Sequence, residues 1–182
     1  MEKKPALIVV DVQQGFNDEY WGPSNNPECE ANILALLERW RSNDWPVVLV
    51  RHDSVSPHSP LRPGQPGNDF MPGVAGEYDL LITKTVNSAF YGTPNLDDWL
   101  KTKKINSMVI CGITTNHCCE TTARMAGNLG YEVTFVIDAT RTFDFRDMKG
   151  QVIKADEMAR VTATNLNGEF ARVVTTKEVI EI

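Results

Sequence analysis

Several short runs in this chain are apolar at almost every position and stop at a polar residue. Ala6-Leu7-Ile8-Val9-Val10 ends at Asp11, and Pro46-Val47-Val48-Leu49-Val50 ends at Arg51-His52. A strand with one wet face alternates apolar and polar residues. A run without that alternation is a strand covered on both faces, which is how strands of a parallel sheet look. Four more segments complete the set: residues 79–83 before Lys84, residues 107–111, Tyr131 to Ile137 before Asp138, and residues 171–174.

Helical spacing fills the gaps between these runs. Glu28 to Asn43 carries Ile33, Leu34, Leu36, Leu37 and Trp40 at the spacing of one helix face. Asn95 to Lys103 places Leu96, Trp99 and Leu100 inward, and a third helix ends at Leu129 with Gly130 as its C-cap. Gly150 to Leu166 reads as a helix with Val152, Ile153, Met158 and Val161 facing in, and Thr176 to Ile182 as a short last helix. Strands alternating with helices predict an α/β three-layer sandwich: a six-stranded parallel sheet with helices on both faces, doubly wound by right-handed crossovers. No repeat, linker or low-complexity tract interrupts residues 1–182, so a single domain is expected.

Composition narrows the partners. A net charge of -6 with no basic stripe argues against nucleic acid. No apolar run approaches the ~20 residues that span a bilayer, so no membrane partner is expected. The stretch from Met1 to Leu7 leads straight into the first strand with no visible signal peptide, and the four cysteines lack a disulfide-framework spacing. A cytoplasmic protein with reduced thiols follows. Neither G-x-G-x-x-G after the first strand nor a Walker-type Gly-Lys-Ser/Thr occurs, so a dinucleotide site is not expected.

Residues 55–79 hold Pro57, Pro60, Pro63, Pro66 and Pro72 together with four glycines, which precludes regular elements. A segment this long is a functional loop or lid, or a disordered linker. Leu61, Phe70, Met71 and Val74 favour a loop that packs down.

Residues 112–123, GITTNHCCETTA, join the strand at 107–111 to a helix. Gly112 permits a sharp turn there, and the Thr114-Thr115-Asn116 oxygens suit a helix cap. Cys118 then lies at the helix start, where free N–H groups and the helix dipole favour thiolate. The alternative is an inert core cysteine, which is how Cys111 and Cys119 read. Cys29 precedes a helix and shows no partner. In an open parallel sheet, ligands bind beyond the carboxyl ends of the strands. Asp11, Lys84 and Cys118 all occupy such ends. An aspartate can take a thiol proton and return it to a leaving amine, while an ammonium stabilises the charges of both. Taken singly, Asp11 could equally cap a turn and Lys84 could be a solvated strand end.

Three segments together carry a resemblance. Leu7-Ile8-Val9-Val10-Asp11-Val12-Gln13, Thr83-Lys84-Thr85-Val86-Asn87-Ser88-Ala89-Phe90 and GITTNHCCETTARMAGNLGY resemble the isochorismatase-like cysteine hydrolase superfamily, which includes nicotinamidases, N-carbamoylsarcosine amidohydrolases and streptothricin hydrolase. In the last segment Gly112, Thr115, Cys118 and Thr122-Ala123 fall at the family's spacing. The resemblance covers nearly the whole chain. It implies a six-stranded parallel sheet, an Asp11–Lys84–Cys118 triad, a non-proline cis peptide before Thr114, and an oxyanion hole formed by the N–H groups of Thr114 and Cys118. Cys119 departs from the usual valine, a change expected to affect packing or redox sensitivity.

Within the superfamily, vinyl-ether-cleaving isochorismatases lack the nucleophilic cysteine, so the presence of Cys118 favours hydrolysis of a C–N bond, amide or lactam, in a small molecule. Nicotinamidases carry Asp-x-His…His as a metal site. Here the order is Arg51-His52-Asp53-Ser54 with a later His58, and no metal and no cofactor are expected. His117 resembles the Asn-His-Cys subgroup that includes streptothricin hydrolase; a capped surface histidine is the other reading. Phe16 and Tyr91 are expected to line the pocket, with core filling as the alternative. Arg51, His52 and Asn87 are candidates to orient a polar substrate, joined by Thr115 and His117. Arg141, Asp144 and Arg146 read as a charged, solvated loop. The family is commonly oligomeric, so a homodimer or higher is expected. An isochorismatase-type hydrolase of another bond, a thiol protein that does not hydrolyse, and a silent scaffold on the same fold are the alternatives.

Overall fold

The computed structural model describes residues 4–181. The first residues of the N-terminal reading and Ile182 of the last helix lie outside the described residues. The strands are β1 (Ala6–Val10), β2 (Val47–His52), β3 (Leu80–Lys84), β4 (Ser107–Ile113), β5 (Glu132–Arg141), a two-stranded hairpin of β6 (Phe145–Arg146) and β7 (Val152–Ile153), and β8 (Arg172–Val174). The helices are α1 (Cys29–Ser42), α2 (Leu96–Thr102), α3 (Glu120–Asn128), α4 (Ala155–Leu166) and α5 (Thr176–Ile180).

The main sheet has the order β3-β2-β1-β4-β5-β8, and every pairing in it is parallel. Alternation along β1 explains its unbroken apolar run. Leu7 and Val9 enter a core with Ile33, Leu36, Leu37 and Trp40 of α1, while Ala6, Ile8 and Val10 enter a second core with α2, α3 and Leu166 of α4. Both faces are covered, so no position of the strand can be polar. The winding reverses between β1 and β4, and this reversal leaves a crevice beyond their carboxyl ends.

Expectations shift at the 150–166 helix and at Arg141. The helix expected from Gly150 begins at Ala155, because residues 145–153 form the hairpin. Val152 is therefore exposed in that hairpin, and Val161 is exposed on α4 rather than inward. β5 runs on to Arg141, which is buried rather than solvated: its guanidinium meets Glu30 at 2.7 Å and Asn17 at 2.9 Å. The 55–79 segment is ordered and packed down, with Leu61, Met71 and Val74 buried against the α1 core.

Gly112 serves a different purpose from a sharp turn. It lies inside β4 at a shift of register with β5, with φ +135°. A Cβ there would stand 2.0 Å from the carbonyl oxygen of Val10 on the adjacent strand. Only glycine meets both demands. Gly112→Ala is expected to cost about 3 kcal/mol or more of stability. A urea midpoint equal to the parent's would refute this account.

Candidate active site

β4 delivers the chain to Thr114, and the Ile113-Thr114 peptide is cis. Thr115–Cys119 then form a single turn of π-helix that leads into α3. The Thr114 carbonyl accepts from the N–H groups of His117 (3.4 Å) and Cys119 (3.2 Å). Contrary to the sequence reading, the Thr114 side chain does not cap this turn. Thr115 donates to Thr140 Oγ1 at 2.9 Å, and Thr142 donates to Asn116 Oδ1, which ties the turn to the end of β5. Cys118 is thereby held at the crevice, 7% exposed.

Asp11, directly after β1, takes φ +52° and is fully buried. Lys84 at the end of β3 reaches across to it, with Nζ 2.6 Å from Asp11 Oδ2 and neither side chain exposed. The solvated reading of Lys84 is thus excluded. The same Nζ lies 3.2 Å from His52 Nδ1 and 3.4 Å from Cys118 Sγ. Cys118 in turn donates its S–H to Asn87 Oδ1 at 3.6 Å, and Asn87 is exposed at the mouth of this cluster. Asp11 Oδ1 is buried and accepts no hydrogen bond among the described residues, so a lone pair is left for a proton.

The electrostatics follow from burial. Burial pushes the Cys118 thiol well up, the Asp11 charge adds to this, and Lys84 opposes it without prevailing. At rest Cys118 is therefore a thiol rather than the thiolate expected at a helix start. Burial alone would lower Lys84. The charge of Asp11, then Cys118, outweighs it and holds the ammonium above the ordinary lysine value. Burial, then the charge of Lys84, lowers His52 and keeps its ring neutral near pH 7.

Asp11, His52 and Cys118 offer ligand atoms within 4.8 Å of one another, the spacing of a metal site. The Lys84 ammonium, bonded to an atom of each, is the cation this cluster holds, and a metal ion among them would meet it at contact distance. Asp53 is turned to Arg51 at 2.8 Å, and His58 is exposed. The residues do not fit a metal of the Asp-x-His…His type.

Of the expected substrate contacts, the cluster gathers His52 and Asn87. Phe16 is buried in the α1-side core and packs on Trp21 and Phe143, with ring centroids 4.9 and 6.1 Å away. It borders an open groove of about 530 Å³ with Arg141 and Glu30, and no residue of the Asp11–Lys84–Cys118 cluster lines that groove. Tyr91 is 72% exposed and stands out from the surface. Arg51 spends both its charge and its geometry on Asp53. Thr115 is fully buried with its hydroxyl used within the fold, and His117 lies edge-on against Phe145.

Two residues that pin the site were missed. Gln13 bonds the main chain of His52 in both directions, at 2.8 and 3.0 Å, and donates to the Asn68 carbonyl at 2.9 Å. Asn68 donates to the carbonyls of His52 (3.1 Å) and Leu61 (2.9 Å). Gln13 is signalled by its place two residues after Asp11, whereas Asn68 sits in the proline-rich stretch with no local signal.

Known proteins are similar to this chain over nearly its whole length. The isochorismatase domain model matches residues 5–178. YrdC of Bacillus subtilis (strain 168), an isochorismatase family protein, is 42% identical over 181 residues, covering 99% of this chain and 96% of its own. Nicotinamidase 3 of Arabidopsis thaliana is 30% identical, over 94% of this chain and 85% of its own. The crystal structure of an isochorismatase-family protein from Chromobacterium violaceum superposes with a TM-score of 0.93 at 40% identity, covering 98% of this chain and 92% of that one. With the parallel sheet, the crevice and the Asp11, Lys84 and Cys118 side chains in contact there, the chain belongs to the isochorismatase family and is a hydrolase.

Proposed function

We propose that this protein is a cysteine amidohydrolase acting on a small amide or lactam. The observation that carries the reading is the contact of Lys84 Nζ with both Asp11 (2.6 Å) and Cys118 (3.4 Å) in a buried crevice. Similarity to a nicotinamidase, a protein named for cleaving an amide, supports the choice of bond. Asp11 takes the S–H proton of Cys118 as the sulfur attacks the carbonyl carbon. The N–H groups of Thr114 and Cys118 hold the oxyanion. The C–N bond breaks as Asp11 passes its proton to the leaving nitrogen, which departs as ammonia or an amine (or, in a lactam, stays tethered to the acyl chain as an amine), and a thioester is left on Cys118. Asp11 then deprotonates water, the hydroxide attacks the thioester, and the acid product leaves as the proton returns to sulfur. Lys84 offsets the negative charge at each stage. Among the described residues no helix is long and apolar enough to cross a membrane.

Incubation with a panel of small primary amides, cyclic ureides and lactams, followed by rapid acid quench and intact mass, tests this. The expected result is a mass increase on the Cys118 peptide equal to the acyl part of an accepted amide, with release of its amine. Turnover of a vinyl ether with no adduct on Cys118 would falsify the amidase reading.

A further inference from the structure

We propose that His52 is a positioning residue of this site, whose neutral imidazole accepts the third N–H of Lys84 through Nδ1 and so fixes the ammonium between Asp11 and Cys118. The inference rests on the reading of Cys118 as the nucleophile, and it moves His52 from substrate contact to support of the triad.

An ammonium has three N–H donors and no acceptor. Among the described residues Lys84 Nζ has three partners: Asp11 Oδ2 at 2.6 Å, His52 Nδ1 at 3.2 Å and Cys118 Sγ at 3.4 Å. Its side chain has no exposed surface, so water cannot replace a lost partner. A buried donor left unmatched carries the full desolvation cost. Nδ1 accepts only when it bears no proton, so the ring proton sits on Nε2. The backbone of Val86 bonds the ring in the sense that favours an N–H.

The groups facing this ring come from four elements. Lys84 comes from β3, Asp11 from the end of β1, Asp53 from the residue after β2, and Cys118 from the π turn after β4. Lys84 and burial disfavour a charged ring, while Asp11, Asp53 and the Val86 backbone favour one; the first pair prevails. A neutral acceptor suits the place. A carboxylate there would compete with Asp11 for the ammonium, and an apolar residue would leave the third N–H bare. Protonation of His52 would turn its Nδ1 into a donor against another donor and set two cations 3.2 Å apart. The arrangement therefore fails on the acid side below the ordinary histidine value. The main chain of His52 is held separately by Gln13 and Asn68, so replacing the ring leaves that scaffold in place.

Two readouts test the proposal on the intact chain. Long-range 1H–15N spectra of the histidine rings assign the tautomer of His52 across pH 5–8. Iodoacetamide alkylation of Cys118, followed by mass, reports the sulfur's ability to act as a nucleophile across the same range, in the parent, His52→Leu and His52→Asn. The expected spectrum shows a single ring proton, on Nε2, at pH 7.5. His52→Leu is expected to slow alkylation about tenfold, the size of one hydrogen bond to a charged donor. His52→Asn, whose Oδ1 replaces the acceptor, is expected to restore most of that rate and to lose the parent's acid limb. A proton on Nδ1 or a doubly protonated ring at pH 7.5 overturns the proposal, as do Leu and Asn variants that share the parent's rate and pH profile. Should Cys118 of the parent resist alkylation altogether, the nucleophile reading fails, and the tautomer spectrum still decides the assignment of Nδ1. The spectrum is taken on the parent, so a variant that does not fold does not remove the test.

Discussion

Replacing Cys118 with alanine is expected to lower turnover of an accepted amide by about 10⁴-fold or more, with the protein still folded. On the proposed mechanism the loss is total in kind, because among the described residues no second nucleophile stands in the crevice: Asp11 and Lys84 are locked together, and Asn87 offers the thiol an acceptor. Asp11→Asn should cost nearly as much, since the two act as one unit. Burial holds the thiol protonated at rest, so a sulfur without its base stays S–H at neutral pH. Cys29→Ala serves as the control. That thiol is buried in the α1 core, burial raises it well above an ordinary cysteine, and its removal should leave the rate unchanged. The check is steady-state kinetics with a matched thermal melt. A Cys118→Ala protein that keeps even a tenth of the parent's kcat would end the covalent mechanism.

Lys84→Met is expected to destabilise the fold by about 3–5 kcal/mol, the usual cost of removing one partner from a buried ion pair. The methionine fills the space of the lysine stem, so packing contributes little to the loss. The cost arises because Asp11, with no exposed surface, is left as an uncompensated charge. Asp11→Asn combined with Lys84→Met should lose less than the two single losses added together, the signature of a coupled pair. In the parent, Lys84 is raised above the ordinary 10.5, so its share of stability is complete below that value and is lost as pH climbs through the folded-state value. Urea unfolding at several pH values reads all of this. A Lys84→Met midpoint equal to the parent's at pH 7 would mean that Asp11 finds another partner.

In sequence, His52 stands beside Arg51 as one of two polar groups at a strand end, and nothing distinguishes them. In the fold their side chains part: Arg51 turns to Asp53, and His52 turns into the crevice and meets Lys84. Neighbouring residues on a strand point to opposite faces, so adjacency in sequence is a reason to expect different fates. The same holds for the GITTNHCC segment. Cys118 reaches the site, Cys119 enters the core, and Thr115 is consumed by Thr140.

The local and repetitive features of this protein were determined by its sequence alone. Unbroken apolar runs fixed the parallel sheet, because a strand covered on both faces leaves no position for a polar side chain. The polar residues that end those runs marked Asp11 and Lys84, and the junction between strand and helix at residues 112–123 marked Cys118. Hairpin and helix were confused at residues 150–154, because the two residues of β7 are too short for a period of two to show. Only the tertiary structure decided what depends on distant partners. It buried Arg141 against Glu30, 111 residues away. It raised the Cys118 thiol that the helix start alone would have lowered, because desolvation outweighs a helix terminus. It also left Tyr91 exposed and set Asn68 against the main chain of His52. Charge state, exposure and the third partner of an ammonium are set by what surrounds a side chain, and those surroundings come together only when the sheet folds.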